Sequence, residues 1–310
     1  MLAKGEAQQG AFSAFAAKMR ERLGFDEALS SLLVPKWGVG CRRLTPGKGF
    51  LEALIKENVN VVSSEIVKVL PEGVQTADGA VHKMDALVCA TGFDTTFRPR
   101  FELRGSNGKD LREHWADTND VEAYMGMSIA GYPNYFTYLG PSNPISNGTL
   151  IPVLEKVRAH TCSSSHILTL TPRLQQCDYF VKLAQKLQCE GVKAIEPKEE
   201  AVRELNIHHQ TFMPRLVFSD SCRSWYKGGK ADGKVIAIWP GSSVHYYDAI
   251  KDVRWEDYNY VYDSNNRFSY LGNGVSLREL EQDNDLAWYL LKPDQVLTVP
   301  DKPAHKPEYE

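Results

Sequence analysis

The stretch "VHKMDALVCATGFDTTFRPRF", residues 81–101, decides how this chain is interpreted. An apolar run at 86–90 is followed by a Thr91-Gly92 turn and by an acidic residue, Asp94. A short apolar run between polar and turn residues predicts a buried strand. Strands of this kind commonly close a domain that binds a flavin or a nicotinamide dinucleotide. Such a domain needs a glycine-rich phosphate loop.

The chain contains three Gly-x-Gly sequences, at 38–40, 47–49 and 272–274. A dinucleotide loop reads Gly-x-Gly-x-x-Gly between a strand and a helix, because glycines let the backbone approach the pyrophosphate at the helix N-terminus. None of the three has the third glycine, and none joins a predicted buried strand to a helix. A P-loop pattern is missing as well. The sequence therefore predicts no dinucleotide phosphate site and no bound cofactor.

The composition is that of a globular protein of 310 residues, 43% hydrophobic and 24% charged. A formal net charge of −3 gives no basic excess for phosphates, so we expect no nucleic-acid partner. No apolar run reaches the roughly 18 residues that a bilayer span needs. The first residues lack a signal-peptide core, which predicts a cytoplasmic protein.

The six cysteines are scattered, without a Cys-x-x-Cys pair. In a chain of this length such cysteines are expected to be reduced core or surface residues. No Cys/His group has the spacing of zinc ligands, and His208 and His209 are adjacent rather than on one helical face. We therefore predict no metal site.

Local patterns predict an α+β fold. Apolar spacing predicts an amphipathic helix at 11–23, Asp26 caps a second helix, and residues 50–56 form a helical turn. Alternation and turn residues predict a β-meander that leads into the strand at 86–90. The remaining predictions are an aromatic strand near 132–138, a helix capped by Asn147 or Thr149, helices at 172–190 and 197–211, and a hairpin around Lys227–Gly233.

We predict a single domain over residues 1–310. Its successive parts are a helical entry with an arginine loop, a β-rich part, a helical part with the hairpin, and a loosely ordered tail. These parts cover residues 11–57, 58–140, 141–292 and 293–310.

Several longer motifs carry a resemblance to a known family. They are "VGCRRLTPGKGFLEAL" (39–54), "YPNYFTYLGPSNPISNGTL" (132–150), "CRSWYKGG" (222–229) and "IWPGSSVHYYDAI" (238–250). Together with the opening stretch they closely resemble the C-terminal half of fungal Baeyer–Villiger-type flavin monooxygenases, over about residues 12–292. Family members bind FAD and NADPH through two glycine-rich fingerprints, and both are missing here. The family signature F-x-G-x-x-x-H-x-x-x-W-P is missing too.

The resemblance implies roles for particular residues. Arg43 matches the arginine that stabilises the negatively charged flavin intermediate and contacts NADP. Trp225 matches a tryptophan on the nicotinamide side. The Gly140–Asn143 loop matches an element directed at the flavin ring, and Asp94 matches the strand end beside it.

Without a cofactor, the retained pocket suggests a different chemistry. An aromatic pocket can fold a flexible apolar or terpenoid-like small molecule into a reactive conformer, and a few donors can polarise a carbonyl. The sequence thus predicts a cofactor-independent cyclase of fungal secondary metabolism, of the Diels–Alder type. The predicted catalytic residues are Arg43, Asn143, Trp225 and His245, and the predicted substrate-binding residues are Arg42, Asp94, Ser142, Trp239 and Tyr246.

Two alternatives remain open at this point. The chain could be the C-terminal half of a split or incompletely represented monooxygenase that uses FAD and NADPH. It could also be a non-catalytic binding or scaffold protein.

Overall fold

The computed structural model describes residues 2–45, 47–143 and 175–280, together with 286, 287 and 290. The chain divides into two compact units, of which the first ends at Asp263 and the second begins at Ser264. Helices and two small antiparallel sheets make up the described part, which confirms the α+β class. The predicted helix after residue 143 and the predicted tail lie outside the described residues.

Three helices open the first unit: α1 (Glu6–Arg22), α2 (Glu27–Leu33) and α3 (Phe50–Leu54). The predicted cap of α2 is confirmed, because the Asp26 carboxylate accepts a hydrogen bond from the Leu29 amide at 2.8 Å. Arg22 Nε donates to Glu52 Oε1 at 2.6 Å, which ties α1 to α3. The arginine loop (38–45) lies between α2 and α3 in the chain.

The predicted meander is confirmed as a three-stranded antiparallel sheet in the order β1-β2-β3. Its strands are β1 (Ile66–Leu70), β2 (Gly73–Thr76) and β3 (Val81–Lys83). At Gly73 an added Cβ would lie 2.0 Å from the His82 carbonyl oxygen, so only glycine allows the two strands to approach this closely.

The second half of the first unit is built on a two-stranded antiparallel sheet. Strand β4 (Val192–Pro197) pairs with β5 (Tyr258–Tyr262), with Ile195 opposite Tyr260. The helices α5 (Gln175–Cys189), α6 (Glu199–Phe212) and α7 (Ser243–Ile250) accompany this sheet and confirm the two helices predicted at 172–190 and 197–211. The short helices are α4 (Leu111–His114) and, in the second unit, α8 (Leu277–Leu280).

Single 3₁₀ turns connect these elements. Their bounds are Thr118–Asp120, Met213–Arg215, Val217–Ser219, Trp225–Lys227, Trp255–Asp257 and Ser269–Leu271. Among the described helices, none combines the length and apolar character that crossing a membrane requires.

The largest apolar core lies around the β4–β5 sheet. Its buried side chains come from α5, α6, α7 and both strands, together with the segment 124–127. Tyr124 donates to the Asp257 carboxylate at 2.5 Å, and the Tyr179 and Tyr258 hydroxyls are 3.0 Å apart. These bonds satisfy the polar ends of aromatic residues whose rings are buried.

The buried strand predicted at 86–90 is wrong. This segment forms no strand, and Leu87 and Val88 are 50% and 89% exposed. A buried strand needs neighbouring strands that satisfy its backbone and cover its side chains. Within the described residues no strand pairs with this segment. The apolar sequence is therefore present without the sheet that would bury it.

Two other β predictions are also wrong. The aromatic run at 132–138 consists of turns, with positive φ at Asn134 (60°), and Phe136 forms only an isolated bridge to Ser128. The predicted hairpin at 227–233 is a loop that follows a 3₁₀ turn, closed by Gly228 at φ 61°. Residues with positive φ interrupt an extended backbone, so neither run can continue as a strand.

The expectation of reduced cysteines is wrong for one pair. A disulfide joins Cys41 to Cys222 across 181 positions of sequence. Cys89, Cys177 and Cys189 are free. Sequence spacing could not reveal this pair, because the fold alone brings the two loops together.

Candidate functional site

Three loops meet in a cleft of about 470 Å³, which we call the arginine cleft. They are the loop at Arg42, the segment 92–95 that follows the misassigned strand, and the loop 223–229. The lining residues are Arg42, Gly92, Phe93, Thr95, Arg223, Ser224, Trp225 and Gly229.

The arginine loop is fixed against the loop at 220–222. The Gly38 amide donates to Asp220 Oδ2 at 2.7 Å, and the disulfide follows at Cys41. A Cβ at Gly38 would lie 2.8 Å from the Val217 side chain, so this close approach requires glycine. The disulfide partners immediately precede Arg42 and Arg223, which places both arginines at the cleft.

Trp225 lies on a 3₁₀ turn whose start is capped by the Ser224 hydroxyl, which accepts from the Tyr226 amide at 3.2 Å. The Arg43 guanidinium carbon lies 6.0 Å from the centroid of the Trp225 ring, a cation–π contact. Burial raises the pKa of the Tyr226 hydroxyl, and the neighbouring Arg43 opposes that rise. Arg43 and Trp225 are thus brought together.

The charge of the arginine cleft is one-sided. Arg42 and Arg223 both line it, and no carboxylate lines it among the residues that the structure describes. Arg223 Nε donates to the Gly229 carbonyl at 3.0 Å, which orients the guanidinium. The rings of Phe93 and Trp225 add two aromatic faces. This donor set suits a ligand that combines negative charge with a flat ring.

That chemistry fits the ring-bearing and charged parts of flavin and nicotinamide dinucleotides. It does not replace a phosphate loop, which cradles pyrophosphate with backbone amides at a helix N-terminus. The sequence contains no such loop, so these residues fit one side of a dinucleotide site.

A second, smaller cleft of about 290 Å³ contains Asp94. Thr96 hydrogen-bonds the Asp94 carboxylate and lowers its pKa, with smaller contributions from Arg98 and Arg100. Arg112 also lines this cleft and pairs with Asp110, whose pKa falls to about 2 because of the Arg112 hydrogen bond. Asp94 therefore lies in a separate, ionised and arginine-rich cleft.

Asn143 belongs to a buried hydrogen-bond network. Its amide donates to the Gly126 and Gly140 carbonyls, both at 3.2 Å, and its oxygen accepts from Gln176 Nε2 at 3.2 Å. Gln176 also donates to the Tyr246 hydroxyl at 2.6 Å, which in turn donates to the Met125 carbonyl at 2.8 Å. This network links the 126–143 loops to α5 and α7.

Trp239 connects that network to two histidines. Its indole donates to His245 Nδ1 at 2.9 Å, and the His209 ring packs edge-on at 4.6 Å between centroids. Burial lowers the pKa of His209 to about 3, with further lowering from His208 and His245. His209 Nε2 has no hydrogen-bond partner in the part of the chain that the structure describes.

The predicted site residues are thus divided among three places. Arg42, Arg43 and Trp225 meet at the arginine cleft, and Asp94 lies in the second cleft. The others line neither cleft: His245 is exposed, and Ser142, Asn143, Trp239 and Tyr246 are buried. Their proposed contacts with a ligand remain predictions, whereas their packing and hydrogen bonds are observed.

The sequence interpretation missed Arg223, Phe93 and His209. Arg223 directly follows a cysteine within a motif that was singled out, and Phe93 follows Gly92 in the opening stretch. His209 lies seven residues after the buried Val202 on α6, which is the spacing of a core position.

Known proteins supply independent information on this site. No family model matches the chain. The FAD-binding monooxygenase stcW of Emericella nidulans is 37% identical over 271 residues, which cover 87% of this chain and 41% of the relative. The FAD-binding monooxygenase moxY of Dothistroma septosporum is 36% identical over 267 residues, covering 86% and 39%.

Solved structures agree in fold. A closed cyclohexanone monooxygenase superimposes with a TM-score of 0.66 at 25% identity, over 84% of this chain and 46% of that one. The OTEMO complex with FAD and NADP gives a TM-score of 0.68 at 21% identity, which shows the fold alone.

Sequence and fold together are similar to FAD-binding and cyclohexanone monooxygenases over most of this chain. The chain belongs to the FAD-binding monooxygenases of the Baeyer–Villiger type. It spans about 41% of the length of the curated relative from Emericella nidulans.

These relatives correct the prediction of no cofactor. They are FAD-binding monooxygenases, and a structural neighbour holds FAD and NADP. The prediction was wrong because it equated a missing phosphate loop with a missing cofactor. Such a loop binds only the pyrophosphate, so its absence does not exclude a cofactor held through other contacts.

Proposed function

We propose that this chain forms the ring-facing side of the FAD and NADPH site of a Baeyer–Villiger monooxygenase. One observation carries the proposal: Arg43 lies over Trp225 at a cleft whose described lining contains two further arginines and no carboxylate. A cleft of this charge suits a site where negative charge develops during the reaction.

When bound, flavin and NADPH supply the electrons that activate dioxygen for insertion of one oxygen atom beside a ketone carbonyl. Arg43 carries a guanidinium cation with several N–H donors. Contact with the Trp225 ring restricts where that charge lies. Arg43 therefore offers a fixed cation to developing negative charge, while Trp225 and Phe93 orient a flat ring.

The exposed segment 86–93 supports the same proposal. It is apolar, it ends at the cleft residues Gly92 and Phe93, and Phe93 itself is 93% exposed. Among the described residues, no backbone hydrogen bond reaches it. An uncovered apolar strand sequence fits a sheet completed by protein outside these 310 residues. That protein would also supply the phosphate loop, on the same polypeptide or on another.

The substrate class follows from the relatives. The structural neighbour named for cyclohexanone acts on a cyclic ketone, and the sequence already suggested a small apolar or terpenoid-like molecule. We propose an apolar ketone of fungal secondary metabolism, converted to an ester or lactone.

The proposal replaces the cofactor-independent cyclisation. The cyclisation was predicted for a pocket that holds no flavin. The relatives are FAD-binding proteins, so the reason for predicting a cyclisation no longer applies. Three of its expected donors, Ser142, Asn143 and Tyr246, are buried in the protein core, which also weakens it. Oxygen insertion uses Arg43 and Trp225 in their observed positions at the arginine cleft.

A chimera tests the proposed function. It joins this chain to the part of the Emericella nidulans relative that the chain does not match. We expect flavin absorbance, NADPH oxidation and conversion of a cyclic ketone to a lactone. Loss of one charge that stabilises a transition state lowers kcat by roughly 10²–10³-fold, so Arg43→Ala should show a loss of this size.

Arg215→Ala is the matched control. Arg215 also lies over an aromatic ring, that of Phe212 at 5.6 Å, but it does not line the arginine cleft. Its replacement should leave kcat within about twofold of the parent. A chimera that binds FAD yet oxidises no ketone, or equal losses in the two variants, would contradict the proposal. A scaffold role predicts no turnover at all.

A further inference from the structure

The disulfide joins the two loops that carry the charged residues of the arginine cleft. Cys41 directly precedes Arg42 and Arg43, and Cys222 directly precedes Arg223. Both cysteines are buried, at 0% and 2% exposure. The bond therefore lies beneath the arginines. Whether it is oxidised or reduced affects the positions of these arginines.

Besides the disulfide, the arginine loop (38–45) is held by the Gln8 side chain, which donates to the Val39 carbonyl at 3.2 Å, and by a hydrogen bond between Arg43 and Tyr226. The Gly38 amide bonds the Asp220 carboxylate at 2.7 Å, and the Arg43 guanidinium lies over Trp225. Residues 42–45 are exposed. The loop at Asp220 is held more firmly, because the buried Lys227 ammonium donates to the Asp220 carbonyl. Breaking the disulfide would thus release the arginine loop rather than its partner.

We propose that Cys41 and Cys222 form a thiol–disulfide switch that positions the arginines of the cleft. In the oxidised form the bond holds Arg43 against Trp225. In the reduced form the loop 38–45 moves more freely, and the cleft loses its defined arrangement of charges. The two cysteines are positioning residues, since they act through Arg42, Arg43 and Arg223.

The redox step balances with glutathione disulfide as the oxidant. The Cys41 thiolate attacks one glutathione sulfur, which forms a mixed disulfide and releases one glutathione thiolate. The Cys222 thiolate then attacks the Cys41 sulfur, the Cys41–Cys222 bond forms, and a second glutathione thiolate leaves. The protein loses two protons and two electrons, and one glutathione disulfide becomes two glutathiones. Reduction is the reverse.

Burial of both sulfur atoms limits the rate at which glutathione can react with them. Thiol exchange needs an in-line approach to sulfur, so the arginine loop must lift before glutathione can react. The rate of thiol–disulfide exchange at this pair therefore depends on how often the loop opens. It should be slower than exchange at the exposed Cys89 and Cys189. The consequence of the switch for catalysis rests on the proposed function, but its chemistry and its effect on the loop do not.

The test uses the purified chain without flavin, equilibrated with glutathione disulfide or with glutathione. Alkylation followed by peptide mass analysis should find Cys41 and Cys222 joined in the oxidised sample and alkylated in the reduced one. Hydrogen exchange of amides in 38–45 should be roughly tenfold faster after reduction, while α6 (199–212) stays protected. A purely structural disulfide would loosen both regions or neither.

Variants separate the switch from general damage. Cys222→Ser should give the fast exchange of the reduced form in both buffers, and Cys189→Ser should behave as the parent chain. If Cys222→Ser does not fold, the comparison of the two redox states of the parent still decides. Alkylation of both cysteines in glutathione disulfide, or equal loop exchange in both states, would overturn the proposal. Failure of the chimera to oxidise ketones would leave this result unaffected.

Discussion

Asn143 illustrates how one side chain acquires a role that its sequence context does not reveal. In "GPSNP" it is a favoured turn residue, and the family resemblance implies a position near a flavin ring. The structure buries it completely and satisfies its amide with three partners. A buried amide with this many bonds fixes the loop that carries it.

Replacement of Asn143 by alanine should therefore act on stability. The change removes three hydrogen bonds, those to the Gly126 and Gly140 carbonyls and the one from Gln176, each worth about 1 kcal/mol, so we expect a loss of about 3 kcal/mol. Urea unfolding followed by circular dichroism measures it. Asn107→Ala, in an exposed turn, should cost less than about 1 kcal/mol. Equal losses would show that the buried network contributes nothing.

Of the three arginines at the arginine cleft, the sequence predicted only Arg42 and Arg43. The sequence motif predicted Arg42 and Arg43 as site residues; Arg42 lines the arginine cleft and Arg43 lies over Trp225, while their contact with a ligand stays a prediction. The third arginine, Arg223, was not predicted, because its proximity depends on a contact between loops 181 positions apart at their cysteines.

Among the elements, the segment 86–93 shows that a sequence favouring a strand does not form one without a partner strand. Its residues favour a strand, yet a strand exists only where a neighbour pairs with it. Helices α1, α2 and α6 were predictable because their hydrogen bonds are internal to the element. Strands β4 and β5 were missed, since their pairing joins residues such as Ile195 and Tyr260 across a long separation.

Val88→Lys tests whether the segment is uncovered. Because Val88 is 89% exposed, the substitution should change the free energy of unfolding by less than about 0.5 kcal/mol and should reduce aggregation. The control Val74→Lys, in the covered strand β2, should cost more than about 3 kcal/mol. Thermal unfolding and light scattering measure the two effects. A large loss at Val88 would mean that something covers it.

The first unit of the molecule is held by a core that combines apolar packing with polar groups of perturbed ionisation. His209 lies within it against Trp239, and its burial lowers its pKa to about 3. A histidine in an unfolded chain titrates near 6.5. Between these values the unfolded state binds more protons than the folded state, so stability falls as the pH falls.

We therefore expect the free energy of unfolding to decrease below about pH 6.5, by up to about 1.4 kcal/mol per pH unit from this group. His209→Leu should remove that part of the slope and should match the parent at pH 8 within about 1 kcal/mol. Ile207→Gln is the control, because that side chain is 58% exposed on the same helix and carries no titratable group, so the slope should stay as in the parent. Urea unfolding at pH 8, 6 and 5 makes the comparison. An unchanged slope in His209→Leu would contradict the assignment.

The sequence by itself determined the helices α1, α2, α3, α5 and α6, the β-meander, the family and the lack of a glycine-rich phosphate loop. Each of these depends on residues close together in the chain or on motifs that are read directly. Only the tertiary structure decided that Arg43 meets Trp225, that Cys41 bonds Cys222, that Asn143 is buried and that residues 86–90 are not. These outcomes depend on which distant segments come into contact, and the energy of such contacts is not encoded in any local pattern.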